Sequence, residues 1–315
     1  MEVCSPGEAE NEPMKDDQAQ SPRSTPIMRE LRVSSPATSV APAPSLTPPA
    51  DLPDQERTVQ LEAHLTLFIV AGLHLLAIGL AEAAVVWVDA RLGLALYGVI
   101  LFVLMVEAAF DREARFGRLC LGLTLLPLLR IVSLAIPLNR LDPLAWQLLV
   151  GAALFLAVAA AVHYLSLRPW QIGLRFELAP FGIAFIGLPL GLAEYYFLQP
   201  TPLLDAPTIA QLAVAPLVLI LCTGFLEELI YRGVLLRVGR EVLGARTAVV
   251  YVALLAAAMQ LGWGSWQHML WYFSVSLFFG WLVLKTGEIY TVSLTRGFTN
   301  VVFLIIAPLW LSGWL

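Results

Sequence analysis

Nine apolar runs, most of them near twenty residues long, constrain this chain more than any other feature. A helix of about twenty apolar residues is what it takes to cross roughly 30 Å of hydrocarbon. The runs fall at about Leu65–Val88, Leu92–Phe110, Leu119–Leu138, Leu144–Leu165, Phe181–Leu198, Ile209–Tyr231, Thr247–Trp263, Met269–Leu284 and Tyr290–Trp310. In lipid every backbone N–H and C=O must be satisfied internally. The expected fold class is therefore all-α, a polytopic transmembrane helical bundle of about nine spans. Only 14% of the residues are charged, which excludes an ordinary soluble domain.

The apolar runs begin after a different kind of sequence. Residues 1–58 hold ten prolines, many serines and alanines, and no aromatic residue. Such a segment buries too little apolar area to offset its ordering entropy, so a disordered tail is expected. It has no apolar h-region, so a cleavable signal peptide is not expected. The domain organisation read from this is 1–58, the Pro/Ser/Ala-rich tail; 59–178, four transmembrane helices; and 179–315, a five-span core. The net charge of −5 belongs to the tail, because residues 1–57 carry ten acids and five bases. The remainder is balanced, and no basic face for nucleic acid is indicated.

Loop charges give an orientation. The loops after spans two, four, six and eight hold Arg112, Arg115, Arg118, Arg168, Arg175, Arg237, Arg240, Arg246 and Lys285. The other loops offer Arg91 and Arg140. The excess of Lys and Arg marks the cytoplasmic side. An integral, multi-pass protein of the cell membrane with a cytoplasmic N-terminus is expected. Cys4, Cys120 and Cys222 are scattered, without a CxxC pair, so no disulfide is implied.

Several ionisable groups fall inside the runs: His74, Glu82, Glu107, Arg130, His163 and Glu194. Such groups usually face the bundle interior and pair. Arg130 is expected to pair with Glu82 or Glu107, and His163 to pack as a hydrogen-bonded histidine near a span end. Glu194 precedes Gln199-Pro200, which should end its span, so its bland reading is an interfacial acid beside aromatic residues.

The stretch Phe225 to Gly233 carries the strongest chemistry. Adjacent carboxylates at the end of an apolar run are unfavourable, since a charge at the membrane centre costs roughly 2.5–3.5 kcal/mol on insertion scales. Glu228 and Arg232 are four residues apart and share a helical face. Glu227 points about 100° away. One acid can then be neutralised while the other remains available as a base. The competing reading is a solvated helix end just outside the membrane. Polar groups on two later spans could converge on this pair: Gln260 at the end of span seven, and Arg296 with Asn300, four residues apart on span nine.

These residues resemble the CPBP intramembrane peptidases, the CAAX prenyl endopeptidases and their bacteriocin-processing relatives. The resemblance covers about Phe181 to Trp310, which makes 179–315 a CPBP-like transmembrane core. The family's first motif, Glu-Glu-x-x-x-Arg, is matched by Glu227, Glu228 and Arg232, with Gly233 after it. Its second, Phe-x-x-x-His, falls on Ala256 and Gln260. Its third, His-x-x-x-Asn after a Thr-Gly turn, falls on Arg296 and Asn300 behind Thr286-Gly287. The resemblance implies an endopeptidase in which the first glutamate activates water and the other motif residues orient or stabilise the reacting groups. It thus implies a site made of Glu227, Glu228, Arg232, Gln260, Arg296 and Asn300, and a peptide or membrane-protein substrate.

Both motif histidines are replaced, by Gln260 and Arg296. Two Glu with Gln, Arg and Asn lack imidazole and thiolate, so neither a metal nor any other cofactor is expected there. What is lost is a group that protonates a leaving amine near neutral pH. The alternative to catalysis is an inactive scaffold whose cavity holds a peptide, lipid or membrane-protein partner. A transporter is disfavoured by the lack of an internal repeat. Arg296 cannot shed its proton and must be paired in a low-dielectric site. The expected partner is Glu227, at about 2.7–3.2 Å, with Arg232 on Glu228. His268, eight residues past Gln260, is expected in a loop or at the interface.

Overall fold

The computed structural model describes residues 54–110, 114–137, 141–175, 179–204 and 207–311. The proline-rich segment ahead of Asp54 lies outside the described residues, as do Arg112 and Arg140. Among the described residues all regular structure is helical. Nine helices among the described residues are long and apolar enough to cross a membrane: Leu65–Trp87, Ala90–Phe110, Arg115–Ala135, Pro143–Tyr164, Phe181–Leu198, Ile209–Leu243, Ala245–Trp263, Trp266–Thr286 and Tyr290–Leu311. The protein is an integral, multi-pass helical membrane protein.

The first span shows how side chains sort in such a fold. Leu65, Ile69, Leu73, Leu76 and Leu80 recur at helical spacing and are exposed, forming a face suited to lipid. Ala71, His74, Ile78, Ala81 and Glu82 lie on the other side and are buried. Its helix starts at Asp54, eleven residues ahead of the apolar run that opens at Leu65. Span three breaks at Thr124. Pro127 has no N–H to give to the carbonyl of Leu123, which explains the interruption. Span five ends at Gln199 in the left-handed region, before Pro200, as the sequence predicts.

Span six departs from expectation. The helical path does not stop at Tyr231 but continues to Leu243, 35 residues in all. At 1.5 Å per residue that is about 52 Å, well beyond the hydrocarbon thickness. Gly233 does not end it. A Cβ there would sit 3.2 Å from the Ile172 carbonyl oxygen, so this glycine serves close packing. The stop comes at Gly244, with φ of 77°. The acidic pair is consequently mid-helix, and the solvated-end reading is overturned.

Span nine is the hub. More than three quarters of it is buried, against half or less of every other span. Its small polar residues allow this. Thr295 Oγ1 donates to the Thr291 carbonyl at 2.8 Å, and Thr299 Oγ1 to the Thr295 carbonyl at 2.9 Å. The hydroxyls are thus satisfied by their own helix. Two glycine contacts bring the neighbours in, as small residues do in membranes. A Cβ on Gly224 of span six would lie 2.7 Å from Gly297 Cα of span nine. A Cβ on Gly191 of span five would lie 2.6 Å from the Thr299 carbonyl oxygen. Gly224 precedes Glu227 by three residues and Gly297 follows Arg296, so these approaches set which charged groups meet.

Candidate active site

Span six holds its acidic pair between two wide turns. Residues Leu219–Phe225 and Leu229–Leu235 are hydrogen-bonded in the π pattern, with Leu226–Glu228 as an α-helical turn between them. Such wide turns leave backbone bonds offset and are frequent at functional sites.

Glu228 turns inward and is buried, at 1% exposure. Arg232 Nη1 donates to its Oε1 at 3.1 Å. Arg232 Nη2 donates to Ser276 Oγ at 2.7 Å and to the Ser276 carbonyl at 3.2 Å on span eight. The guanidinium also lies over the Phe279 ring, 5.7 Å from its centroid. The expected Glu228–Arg232 pair is present, and it clamps span six to span eight.

Glu227 faces the other way and its side chain keeps 28% exposure. Its Oε2 accepts from Tyr272 Oη at 3.2 Å and from Arg296 Nε at 3.5 Å. Among the described residues no hydrogen bond is made by its Oε1. A cavity of about 320 Å³ opens beside it, lined by Glu227, Gln260, Arg296 and Asn300 together with Glu194, Tyr272 and Thr223. Four of the six residues singled out in the sequence therefore share one cavity. Glu228 and Arg232 stand behind it, next to Tyr272 and Arg296. Asn300 Nδ2 donates to Thr223 Oγ1 at 2.8 Å, tying span nine to span six.

The pairing of Arg296 differs from expectation. Its Nη1 donates to Glu194 Oε2 at 3.2 Å, while the contact to Glu227 is 3.5 Å, longer than the expected range. The guanidinium also stacks over the Tyr272 ring at 4.4 Å. Its principal partner comes from span five, which packs against span nine through Gly187 and Gly191. Glu194 is thus a buried acid at 3% exposure rather than an interfacial one. His268 is likewise corrected. It is fully buried, and its Nε2 lies 3.1 Å from Glu194 Oε1. His268 and Tyr272 are four apart on span eight, so one helical face carries both. The resulting chain His268–Glu194–Arg296–Glu227 links spans eight, five, nine and six.

Sequence reasoning missed Tyr272 and set aside Glu194 and His268. The available signal was the Gly187/Gly191 stripe, which puts Glu194, three residues after Gly191, toward a neighbouring helix. Nothing in the sequence marks Tyr272.

At the far wall, Arg130 pairs with Glu82, with Nε to Oε2 at 2.8 Å, and its Nη2 donates to the Met259 carbonyl at 3.1 Å. Tyr97 Oη gives a further bond to Glu82 at 2.7 Å. Of the two partners expected for Arg130, Glu82 is the one it takes. His163 is exposed, against Tyr164, and is not a packed interior histidine.

The groups that face the cavity do not suit a metal ion. Glu227 and Glu194 face it, but the Arg296 guanidinium occupies the space between them, where a cation would have to sit. The other polar groups of the lining include the amides of Gln260 and Asn300, the hydroxyls of Thr223 and Tyr272 and the single Cys222 thiol, without an imidazole, so the residues do not fit a transition-metal centre.

A bundle of apolar helices enclosing paired acids, a guanidinium and amides around a partly open cavity defines an intramembrane site built from side chains of facing helices. Residues 209–302 match the model of the family described as type II CAAX prenyl endopeptidase Rce1-like. That stretch holds all six residues of the resemblance, and over it this integral membrane protein is similar to the CAAX-type endopeptidases. No curated protein and no solved structure matches the chain.

Proposed function

We propose that the protein is an intramembrane endopeptidase of the CAAX type, with Glu227 as the base that activates water. The observation that carries this reading is the state of the Glu227 carboxylate. One oxygen is held by Tyr272 and Arg296, the other makes no hydrogen bond among the described residues, and the residue lines a cavity of about 320 Å³. In the reaction, Glu227 takes a proton from water as the oxygen attacks the scissile carbonyl carbon. Gln260 and Asn300 are the amide donors available to the resulting oxyanion. Protonated Glu227 then passes its proton to the leaving amine as the C–N bond breaks. Glu228 and Arg232 do not touch substrate in this scheme and hold the helix that carries Glu227. No imidazole lines the cavity among the described residues, so proton return rests on one carboxylate and turnover is slow.

The test is cleavage of membrane-inserted peptide substrates by the purified full chain. Glu227→Gln should remove the activity while leaving the folded protein intact. Cleavage that survives this substitution would exclude Glu227 as the base.

A second reading, the inactive scaffold, is favoured by the Arg296 contact to Glu227, which draws on the same carboxylate a base would need. A peptide, lipid or membrane-protein partner would then sit in the cavity and leave uncut. Crosslinking from the cavity wall separates the two: a stoichiometric partner without cleaved product supports the scaffold.

The basic loops after spans two, four, six and eight support a cytoplasmic face on that side. Thiol labelling of Arg168→Cys from the cytoplasm and of Arg91→Cys from outside is expected. The reverse pattern would invert the topology.

A further inference from the structure

We infer that His74, Glu107 and Cys120 form a second site, separate from the cavity, that binds a zinc-like divalent cation. Three helices each supply one residue: His74 from span one, Glu107 from span two and Cys120 from span three. One ligand atom from each lies within 4.8 Å of the others. His74 Nε2 is 2.8 Å from Glu107 Oε2, and Cys120 Sγ is 3.4 Å from the same oxygen. His74 is 8% exposed and Cys120 is fully buried.

The hydrogen bonding of His74 orients it as a ligand. Its Nδ1 lies 2.8 Å from the Val70 carbonyl oxygen, one turn earlier. A carbonyl only accepts, so Nδ1 carries the hydrogen, and in neutral imidazole the lone pair is on Nε2. That lone pair points at a carboxylate oxygen, which is also an acceptor. Two occupants satisfy both acceptors: a second proton, which gives a histidine–glutamate ion pair, or a cation placed among Nε2, the carboxylate and the sulfur. A backbone carbonyl on the remote nitrogen is also the usual support of a metal-bound histidine.

The donor set selects the metal. Imidazole nitrogen, thiolate sulfur and carboxylate oxygen together suit Zn²⁺ and not Mg²⁺ or Ca²⁺. Zinc distances of about 2.0–2.2 Å to nitrogen and oxygen require His74 Nε2 and Glu107 Oε2, now 2.8 Å apart, to separate by about half an ångström. Binding releases the Cys120 thiol proton to solvent. Zn²⁺ with one thiolate, one carboxylate and a neutral imidazole then carries no net charge, which a bilayer accommodates. Glu107 keeps 34% side-chain exposure, which leaves a fourth position reachable from its side. The ion would pin spans one to three, which lie outside the matched residues 209–302.

The test is metal retention by the full chain in detergent. After incubation with zinc chloride and desalting, about one zinc per chain should remain, as for a single structural or half-open site. His74→Ala and Cys120→Ser should each lower retention at least tenfold, whereas Glu227→Gln should not. Cobalt(II) loaded into the wild-type chain should show a thiolate-to-cobalt charge-transfer band, a readout that needs no variant to fold. Wild-type protein that retains no zinc above the Cys120→Ser level and gives no such band would show a histidine–glutamate ion pair only. Retention unchanged in both variants would place the metal elsewhere. Either result overturns the inference.

Discussion

Arg232→Ala is expected to destabilise the folded protein by about 3–5 kcal/mol, the range for removing one partner of a buried ion pair. Both side chains are nearly fully buried, at 2% and 1% exposure, so solvent does not replace the lost cation. The substitution leaves the Glu228 carboxylate without its one charged donor among the described residues, and it opens the two bonds to Ser276 that hold span eight. It also removes a guanidinium packed over Phe279. Thermal unfolding in detergent should show a midpoint lower by many degrees. Removing both charges at once, as in Glu228→Leu with Arg232→Met, should recover most of the loss, because no unpaired charge is then buried. An unchanged midpoint in the alanine variant would show that the pair does not bear on stability.

Restoring both imidazoles, with Gln260→His and Arg296→His together, is expected to raise peptide cleavage by about 10²-fold or more, the lower range for a positioned general acid. Two physical changes act together. Removing the guanidinium frees Glu227 Oε2 of its 3.5 Å contact, and an imidazole at either position can protonate a leaving amine. Glu194 is not stranded by the change, since it keeps His268 at 3.1 Å. The gain should vanish when Glu227→Gln is added. A double variant that folds, binds peptide and cleaves nothing would favour the scaffold reading.

Both predictions rest on contacts that differ in how visible they were in sequence. The nine spans, the all-helical class and the resemblance of the C-terminal half followed from run lengths and motif spacing. So did the Glu228–Arg232 pair, because i,i+4 geometry on one helix is fixed by the 3.6-residue turn. The length of span six differs from the expectation, because the uninterrupted apolar run gives way to Arg232, Arg237 and Arg240 while the helix continues through Gly233 to Leu243. Only the tertiary packing shows that glycine filled against Ile172.

The partner of Arg296 was beyond sequence reasoning. A guanidinium in a dry site needs an acid, and the sequence offered one in the motif, Glu227. It could not show that span five would press against span nine at Gly187 and Gly191 and deliver Glu194 instead. It also could not place His268, whose burial depends on how span eight leans on span five. Local spacing determined which residues share a helical face. The pairing between helices depended on small-residue contacts many residues away in the chain, and only the folded bundle decided it.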